Sequence, residues 1–547
     1  MRIDRVFIDG FRNLRAVEVD FHEGCLTSVV IGENGSGKSN LIEAIVQIFR
    51  QVDVPSGSVK FTFEIDYVIR YHKVRIHNRE GTTLFVVDGE PMSSRQFNLN
   101  KESLFPDLVF GYYSGTSRRL EKLFDDHQAR YYGVINQDRD VSAYERARSA
   151  RRLFYCRPIH GVFALLAHFA KPGRKKDVSE LLSEKLGITG FHSALAHFKE
   201  PSWFNHSNWK RQLSSTVPSS RGRRPYEELE EQARDLWGAK GPAGDCARAL
   251  QSLAFYPLAV TGKVVDDYRS KAKTEAQLAC FLRDQKALAR FAQPFGDDQD
   301  LFAALEAADI SDLFREILVW VTRKDDESGD IGFSDLSDGE RQLLMVLGLI
   351  RVSRGKEALF LLDEPDTHLN PAWQLSYLDL IQEWTEVAAD EDKCQIIMTT
   401  HNPLTIAALT KKEVRVMQTA DDGQIKVAEP YADPRGLGFT STLTEIFGLP
   451  TTLDPETQKQ IDERNTLARI EERSEKQERM LIELNDKLDR LGFLHESRDP
   501  LYDDFLKAVH DYKYADRPPM TQEQIEKRRR AMQALVQSLS EQPERPH

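Results

Sequence analysis

Apolar and polar positions alternate over residues 2–8 and again over 16–21, the two-residue period of half-buried strands, and Gly10 and Asn13 between them supply turn chemistry. A third apolar run, 26–31, is rich in β-branched residues and ends in a glycine-rich loop, after which residues 40–49 take the three-and-four spacing of a helix. Alternation returns across 58–90, as in Phe61-Thr62-Phe63-Glu64-Ile65-Asp66-Tyr67-Val68-Ile69, and Asp88-Gly89 is a hairpin signal, so an antiparallel subdomain is expected there. From 118 to 325 the pattern turns helical and irregular, broken by Lys171-Pro172-Gly173 and by Pro218-Ser219-Ser220-Arg221-Gly222. This predicts an inserted helical domain. Strand signals resume at 358–362, 395–399 and 413–417, which predicts that the segments flanking the insertion complete one interrupted sheet.

Beyond residue 450 the chain becomes charged and helical, and Leu467, Ile470, Ser474, Gln477, Leu481, Leu484, Leu488 and Leu491 stand at alternating spacings of three and four. The polar middle of this seam, and Gly492 as a C-cap, favour a helical hairpin or a partner-docking helix over a long coiled coil.

Composition narrows the setting. Hydrophobic residues are 40% and charged residues 29% of 547, enough apolar material for a packed core and a length that suggests several domains. No run approaches the ~18–20 apolar residues of a membrane span, and the start, Met1-Arg2-Ile3-Asp4, lacks the apolar stretch of a signal peptide, so a cytoplasmic protein with no membrane partner is expected. Cys25, Cys156, Cys246, Cys280 and Cys394 lack metal-ligand spacing and read as buried thiols. The net charge of −12 argues against a protein coated in nucleic acid but leaves room for local basic surface.

The chemistry concentrates in a few segments. Gly32-Glu33-Asn34-Gly35-Ser36-Gly37-Lys38-Ser39 matches the P-loop pattern between a strand and a helix. Backbone N–H groups of Asn34, Gly35, Ser36 and Gly37, with Lys38, Ser39 and Asn40 at the helix start, are the expected cradle for the phosphates of ATP. Ser39 would give Mg²⁺ a hard oxygen ligand. Ala358-Leu359-Phe360-Leu361-Leu362-Asp363-Glu364 is a buried strand ending in two carboxylates, a Walker B arrangement in which Asp363 serves the metal and Glu364 acts on the attacking water. The strand at 394–400 delivers His401-Asn402-Pro403, an imidazole that could reach the γ-phosphate and that carries no assignment by itself.

Between these motifs stands Leu336-Ser337-Asp338-Gly339-Glu340-Arg341-Gln342, which resembles the ABC signature LSGGQ. Asp338 and Glu340 depart from that form in the manner of the RecF, SMC and OLD branch, and Pro365-Asp366-Thr367-His368-Leu369-Asn370-Pro371 resembles that branch's D-loop. The resemblance implies that Ser337 and Gly339 bind the γ-phosphate of ATP held by a second copy, so the chain would be a homodimer or higher even-numbered oligomer through its heads. A Q-loop glutamine is missing, and Phe110-Gly111-Tyr112-Tyr113-Ser114-Gly115 is its positional equivalent, with Ser114 as candidate. Arg12 is either a nucleotide-side residue or a surface arginine.

The expected fold is therefore α/β, a P-loop ABC-type ATPase head with an antiparallel β subdomain, a helical insertion and a helical C-terminal extension. The head would comprise 1–117 and 330–450, the insertion 118–329 and the docking extension 451–547. The tail, Leu488-Asp489-Arg490-Leu491-Gly492-Phe493 with Arg498-Asp499-Pro500-Leu501-Tyr502, is similar to the PtuA ATPases of Septu-type phage defence, including the retron-linked form. That likeness implies a separate HNH nuclease of PtuB type and, in the retron form, a reverse transcriptase with its multicopy single-stranded DNA. Nothing after 418 supplies the acidic metal site of the OLD nucleases. A RecF-like DNA repair ATPase is the alternative. Two basic segments, Arg146 to Arg157 and Lys199 to Arg224 with Trp203, Phe204 and Trp209 interleaved, could bind single-stranded nucleic acid or be solvated faces.

Overall fold

A computed structural model describes residues 1–54, 59–79, 81–137, 139–170, 182–205, 225–265, 269, 271–325, 328, 331–352, 356–388, 394–420, 422–470 and 472–491. The breakers at 171–173 and 218–222, Lys210, Arg211, Arg223 and Arg224 with Trp209, Asp421, and the tail from Gly492 onward lie outside the described residues. The chain divides into two compact units, Met1–Thr442 and Leu443–His547.

The first unit is organised around a seven-stranded sheet. Its strands are β3 (Thr27–Gly32), β8 (Leu108–Tyr113), β9 (Leu153–Tyr155), β15 (Ala358–Asp363), β16 (Cys394–Thr399), β17 (Val414–Thr419) and β18 (Ile425–Ala428). They lie in the order β18-β17-β3-β16-β15-β8-β9, all parallel except β18. Every residue of β3, β15 and β16 is buried, as the unbroken apolar runs require of parallel strands covered on both faces. Register places Val30, Thr399, Asp363 and Tyr113 level with one another at the C-terminal edge, where ligands bind in open parallel sheets.

An antiparallel sheet stands beside it, with β1 (Arg2–Asp9), β2 (Val17–Asp20), β4 (Thr62–Ile69), β5 (His72–Arg79), β6 (Thr82–Val87) and β7 (Glu90–Met92) in the order β2-β1-β4-β5-β6-β7. The predicted turn at Asp88-Gly89 is present, both residues having positive φ (53° and 88°), the conformation that a tight two-residue hairpin demands. The helix Lys38–Asp53 is shared between the sheets. Its Leu41, Ile45 and Phe49 join Ile3, Val6, Ile65 and Ile76 in one core, so the nucleotide loop is anchored to both.

The insertion departs from the helical expectation in two ways. Residues 153–155 leave it to form β9 on the edge of the head sheet, pairing with β8. A five-stranded antiparallel sheet then follows, made of β10 (Ile188–Lys199), β11 (Leu258–Val264), β12 (Lys273–Leu282), β13 (Phe314–Arg323) and β14 (Ile331–Gly332) in the order β11-β12-β10-β13-β14. The reason is visible in β10, whose Ser193-Ala194-Leu195-Ala196-His197 stretch carries no β-branched residue. Non-local pairing with β12 and β13 decides its conformation over local propensity. Helix Ile159–Ala170 packs on β10 and β13 of this sheet and also touches the helices Asp298–Ile310 and Asp338–Val352.

In the second unit, helices Pro455–Ala468 and Glu475–Arg490 form a hairpin, and Leu467, Leu481 and Leu484 bury against each other with Ala468 and Ile470. The polar middle of the seam is explained by capping. Ser474 N and Oγ both donate to Gln477 Oε1 at 2.9 Å, and Gln477 N donates back to Ser474 Oγ at 3.4 Å, which starts the second helix there. Arg473 Nη1 closes the turn by donating to the carbonyls of Ala468 (3.0 Å) and Ile470 (2.8 Å).

The helix Asp338–Val352, which opens on the signature, crosses Ile159–Ala170 closely. A Cβ placed on Gly348 would stand 2.0 Å from Ala164 Cβ. Gly348→Ala would gain ~1 kcal/mol of helix propensity against an overpacking cost of about 1–3 kcal/mol. The expected outcome is a net loss of stability in a denaturant melt; a stabilised variant would contradict the close crossing.

Candidate nucleotide site

The glycine-rich loop leaves β3 and turns into the helix Lys38–Asp53 through Gly35 and Gly37, at φ 87° and 99°. Both lie in the left-handed region that side chains resist, and a Cβ on Gly37 would come within 2.8 Å of Leu14. Asn13 Nδ2 donates to the Gly35 carbonyl at 2.8 Å, Asn40 Nδ2 donates to Asn13 Oδ1 at 2.6 Å, and Arg12 Nη1 donates to Asn40 Oδ1 at 2.9 Å. Arg12 and Arg119 both pair with Glu43, which is buried on the loop's helix, at 2.5 and 3.0 Å. Arg12 thus buttresses the loop rather than standing free on the surface.

Lys38 is buried and donates from Nζ to the carbonyls of Gly32 (2.7 Å) and Glu33 (3.1 Å). Burial holds its amine below the usual lysine range, against the pull of Glu364 and Asp363. Ser36 Oγ is buried in the same loop without a hydrogen-bond partner among the described residues. A desolvated cation beside an unmet hydroxyl, on a glycine-rich turn at a helix start, fits a polyphosphate.

The acidic wall comes from β15. Asp363 is 3% exposed, and its Oδ1 accepts from Ser39 Oγ at 3.0 Å and from Thr399 Oγ1 at 2.5 Å. Burial pushes its carboxyl above the usual aspartate range, and those two hydroxyls pull it part of the way back. Glu364 follows at φ 52°, a strained conformation for a residue with a side chain, held by donation from its N–H to the Thr399 carbonyl at 3.1 Å. Its Oε1 lies 3.2 Å from His401 Nδ1. Asp366 is likewise buried and accepts from Thr400 Oγ1 at 2.7 Å and from Thr405 Oγ1.

Ser39, Asp363, Glu364 and His401 therefore meet at one sheet edge. The Thr399-Thr400 pair, not singled out in the sequence, ties both acids in place; two hydroxyls ending an apolar strand were the available signal. Ser114 also reaches this edge, with its N–H donating to the Asp363 carbonyl at 3.3 Å and its Oγ 3.3 Å from Thr367 Oγ1.

The signature explains its own departures from LSGGQ. Ser337 caps the helix Asp338–Val352. Ser337 N and Oγ donate to Glu340 Oε2 at 2.8 and 2.9 Å, and Glu340 N donates to Ser337 Oγ at 3.3 Å. Glu340 is compensated by Arg323 at 3.2 Å and Asp338 by Arg341 at 2.6 Å. Ser337 is exposed, whereas Gly339 is buried so close to the D-loop that a Cβ would meet the His368 carbonyl at 2.7 Å. Signature and D-loop are one packed corner.

The arginine cluster of the insertion is spent largely on internal acids. Arg148 pairs with Asp300 (2.6 Å), Arg151 with Glu306 (2.7 Å) and Arg157 with Asp309, while Arg152 donates to the Pro106 carbonyl at 3.3 Å; Arg146 is exposed. In the second basic segment Lys199 pairs with Asp312 at 2.6 Å and Trp203 Nε1 donates to the Ser311 carbonyl at 2.7 Å. Neither forms an open basic stripe among the described residues.

Two stretches of the chain match known families. Residues 1–101 match the family described as "AAA ATPase domain", and residues 267–407 match "AAA domain, putative AbiEii toxin, Type IV TA system". These matches support an ABC-type ATPase similar to those of the RecF, SMC and OLD branch. Within that branch it resembles PtuA, being 27% identical over 164 residues to the Septu protein PtuA of Bacillus mycoides, a match covering 28% of this chain and 22% of that protein. The chain thus spans about a fifth of that relative's length. "Retron Vc95 probable ATPase" of Vibrio cholerae is 18% identical over 76% of this chain and 73% of its own. The DNA replication and repair protein RecF of Histophilus somni is 30% identical over 16% of this chain and 28% of its own. Among the described residues no helix is long and apolar enough to cross a membrane.

Thr399→Val keeps the shape of the strand end while removing the donor to Asp363. Losing a hydrogen bond to a buried carboxylate costs about 1–3 kcal/mol, so ATP turnover should fall about 5- to 160-fold, with Thr399→Ser restoring most of it. Unchanged steady-state ATPase rates in Thr399→Val would remove this residue from the site.

Proposed function

We propose that this chain binds and hydrolyses ATP with magnesium at the Lys38 to Glu364 edge, and that a second copy completes the site through Ser337 and Gly339. The convergence of Ser39, Asp363, Glu364 and His401 supports the first half of this reading. Lys38 and the loop amides from Asn34 to Asn40 hold the phosphates. Ser39 and Asp363 are the oxygen donors for the metal, which when bound neutralises phosphate charge. Glu364 orients the attacking water and takes its proton, and His401, within hydrogen-bond reach of Glu364, fixes that carboxylate. The exposed Ser337 hydroxyl, on a capped helix start, supports the second half, since such an end favours an anion presented from outside.

The assembly served is an anti-phage defence complex in which this ATPase acts as the regulatory subunit of a separate HNH nuclease, with a retron reverse transcriptase and its single-stranded DNA as further components, in the cytoplasm. Its similarity to the Septu protein PtuA and to the retron ATPase supports this reading. The short match to RecF favours a second reading, DNA repair at gapped ends. Copurification from the native operon discriminates them: a bound nuclease is expected, and ATP-dependent loading on gapped DNA without one would favour repair.

Two kinetic experiments test the site. Lys38→Ala should abolish nucleotide binding, whereas Glu364→Gln should bind ATP yet turn over at least about 100-fold more slowly; normal turnover in Glu364→Gln would contradict its role. Mixing inactive Lys38→Ala and Ser337→Arg subunits should recover activity, because one composite site of a mixed dimer stays intact. Recovery of none at any ratio would contradict completion by a second copy.

A further inference from the structure

A cavity of about 50 Å³ opens between the insertion and the head sheet, and its charged lining is Arg148, Arg151, Lys356 and Glu306. Three cations face one carboxylate. Arg148 is matched by Asp300, but the Lys356 ammonium has neither a hydrogen bond nor an ion pair among the described residues. Burial holds the Lys356 amine below the usual lysine range and Arg148 adds repulsion, which the attraction of Asp107 and Glu306 only partly offsets.

Arg151 is 9% exposed and its guanidinium lies over the rings of Phe154 (4.8 Å) and Tyr131 (5.2 Å), with Nη1 2.7 Å from Glu306 Oε1. Its Nε and Nη2, the edge that pairs bidentately with an oxyanion, are buried without a hydrogen-bond partner among the described residues. Unmet buried donors of a charged group are costly, and one carboxylate does not satisfy both this fork and Lys356.

The cavity belongs to neither the nucleotide loop nor the signature. Leu108, in its lining, opens β8, and Lys356 precedes β15, whereas Asp363 ends that strand. Six residues of strand separate the two ends by about 20 Å. A water needs roughly 10–15 Å³ of such space, so the cavity has room for the oxygens of one small tetrahedral anion and not for a nucleobase.

We propose that this cavity binds a phosphate-type oxyanion between Arg151 and Lys356, either as inorganic phosphate or as the phosphate end of a mononucleotide, and so clamps the insertion onto the head sheet. Arg148 and Arg151 come from the insertion and Lys356 from the approach to β15, so the anion would bridge the two parts at the end of the sheet opposite catalysis.

The test uses the full chain carrying Lys38→Ala, so that the P-loop does not take up the anion. Thermal melts are compared in chloride, inorganic phosphate and adenosine monophosphate at matched ionic strength. A phosphate-specific rise of about 2–4 °C is expected, lost on adding Lys356→Met and reduced by Arg151→Lys, which keeps the charge and removes the fork. A larger rise with adenosine monophosphate identifies the phosphomonoester as ligand, and a larger rise with inorganic phosphate identifies the free ion. No rise beyond chloride, or an equal rise with and without Lys356→Met, overturns the proposal. Should Arg151→Lys fail to fold, the Lys356→Met comparison decides.

Discussion

The buried carboxylate of Asp363 is the constraint on which the catalytic edge depends. Taken out of water, it is held by hydroxyls from two other segments, Ser39 at the start of the P-loop helix and Thr399 at the end of the neighbouring strand. Neither hydroxyl neutralises it, so burial still pushes its carboxyl upward. On the proposed reading, a nucleotide with its cation would relieve that cost. Binding energy and local organisation of the site are thereby linked through one side chain.

The opposite end of the P-loop helix is tied just as firmly. Asp53, its last residue, is half-buried and pairs with Lys101 at 2.8 Å and His127 at 2.7 Å, with Arg152 at 3.9 Å. Basic partners suit a helix C-terminus, and they come from three places: the antiparallel subdomain, the segment that follows β8, and the approach to β9. Hydrogen bonds from His127 and Lys101 outweigh burial and hold the Asp53 carboxyl below the usual range. Its stabilising contribution is present above the ordinary aspartate pKa and is lost as pH falls through the depressed value. The helix under the phosphates is thus gripped at both ends by charge.

Motifs whose chemistry demands particular residues at fixed spacing were legible in the chain. Gly35 and Gly37 need positive φ, Asp363 and Glu364 end a fully apolar strand, and both features appear as expected. Partners that act from a distance were not. Thr399 and Thr400 look like ordinary strand-end hydroxyls until register brings them level with Asp363 and Asp366. The insertion's sheet was hidden because the middle of β10, Ser193 to His197, carries no β-branched residue, and its partners lie about 80 to 135 residues away. Glu340, a departure from LSGGQ in the sequence, is a helix cap in the fold. The arginines from 146 to 157 suggested nucleic acid only because their acids, Asp300, Glu306 and Asp309, are remote in sequence.

The central claim is that one chain carries half of each nucleotide site, with the P-loop on one copy and Ser337 on the other. Sedimentation velocity of Glu364→Gln with ATP and magnesium tests it most directly. The account predicts a doubled mass with ATP that is absent with ADP and abolished by adding Ser337→Arg. A mass that does not respond to ATP, or a dimer that survives Ser337→Arg unchanged, would contradict it.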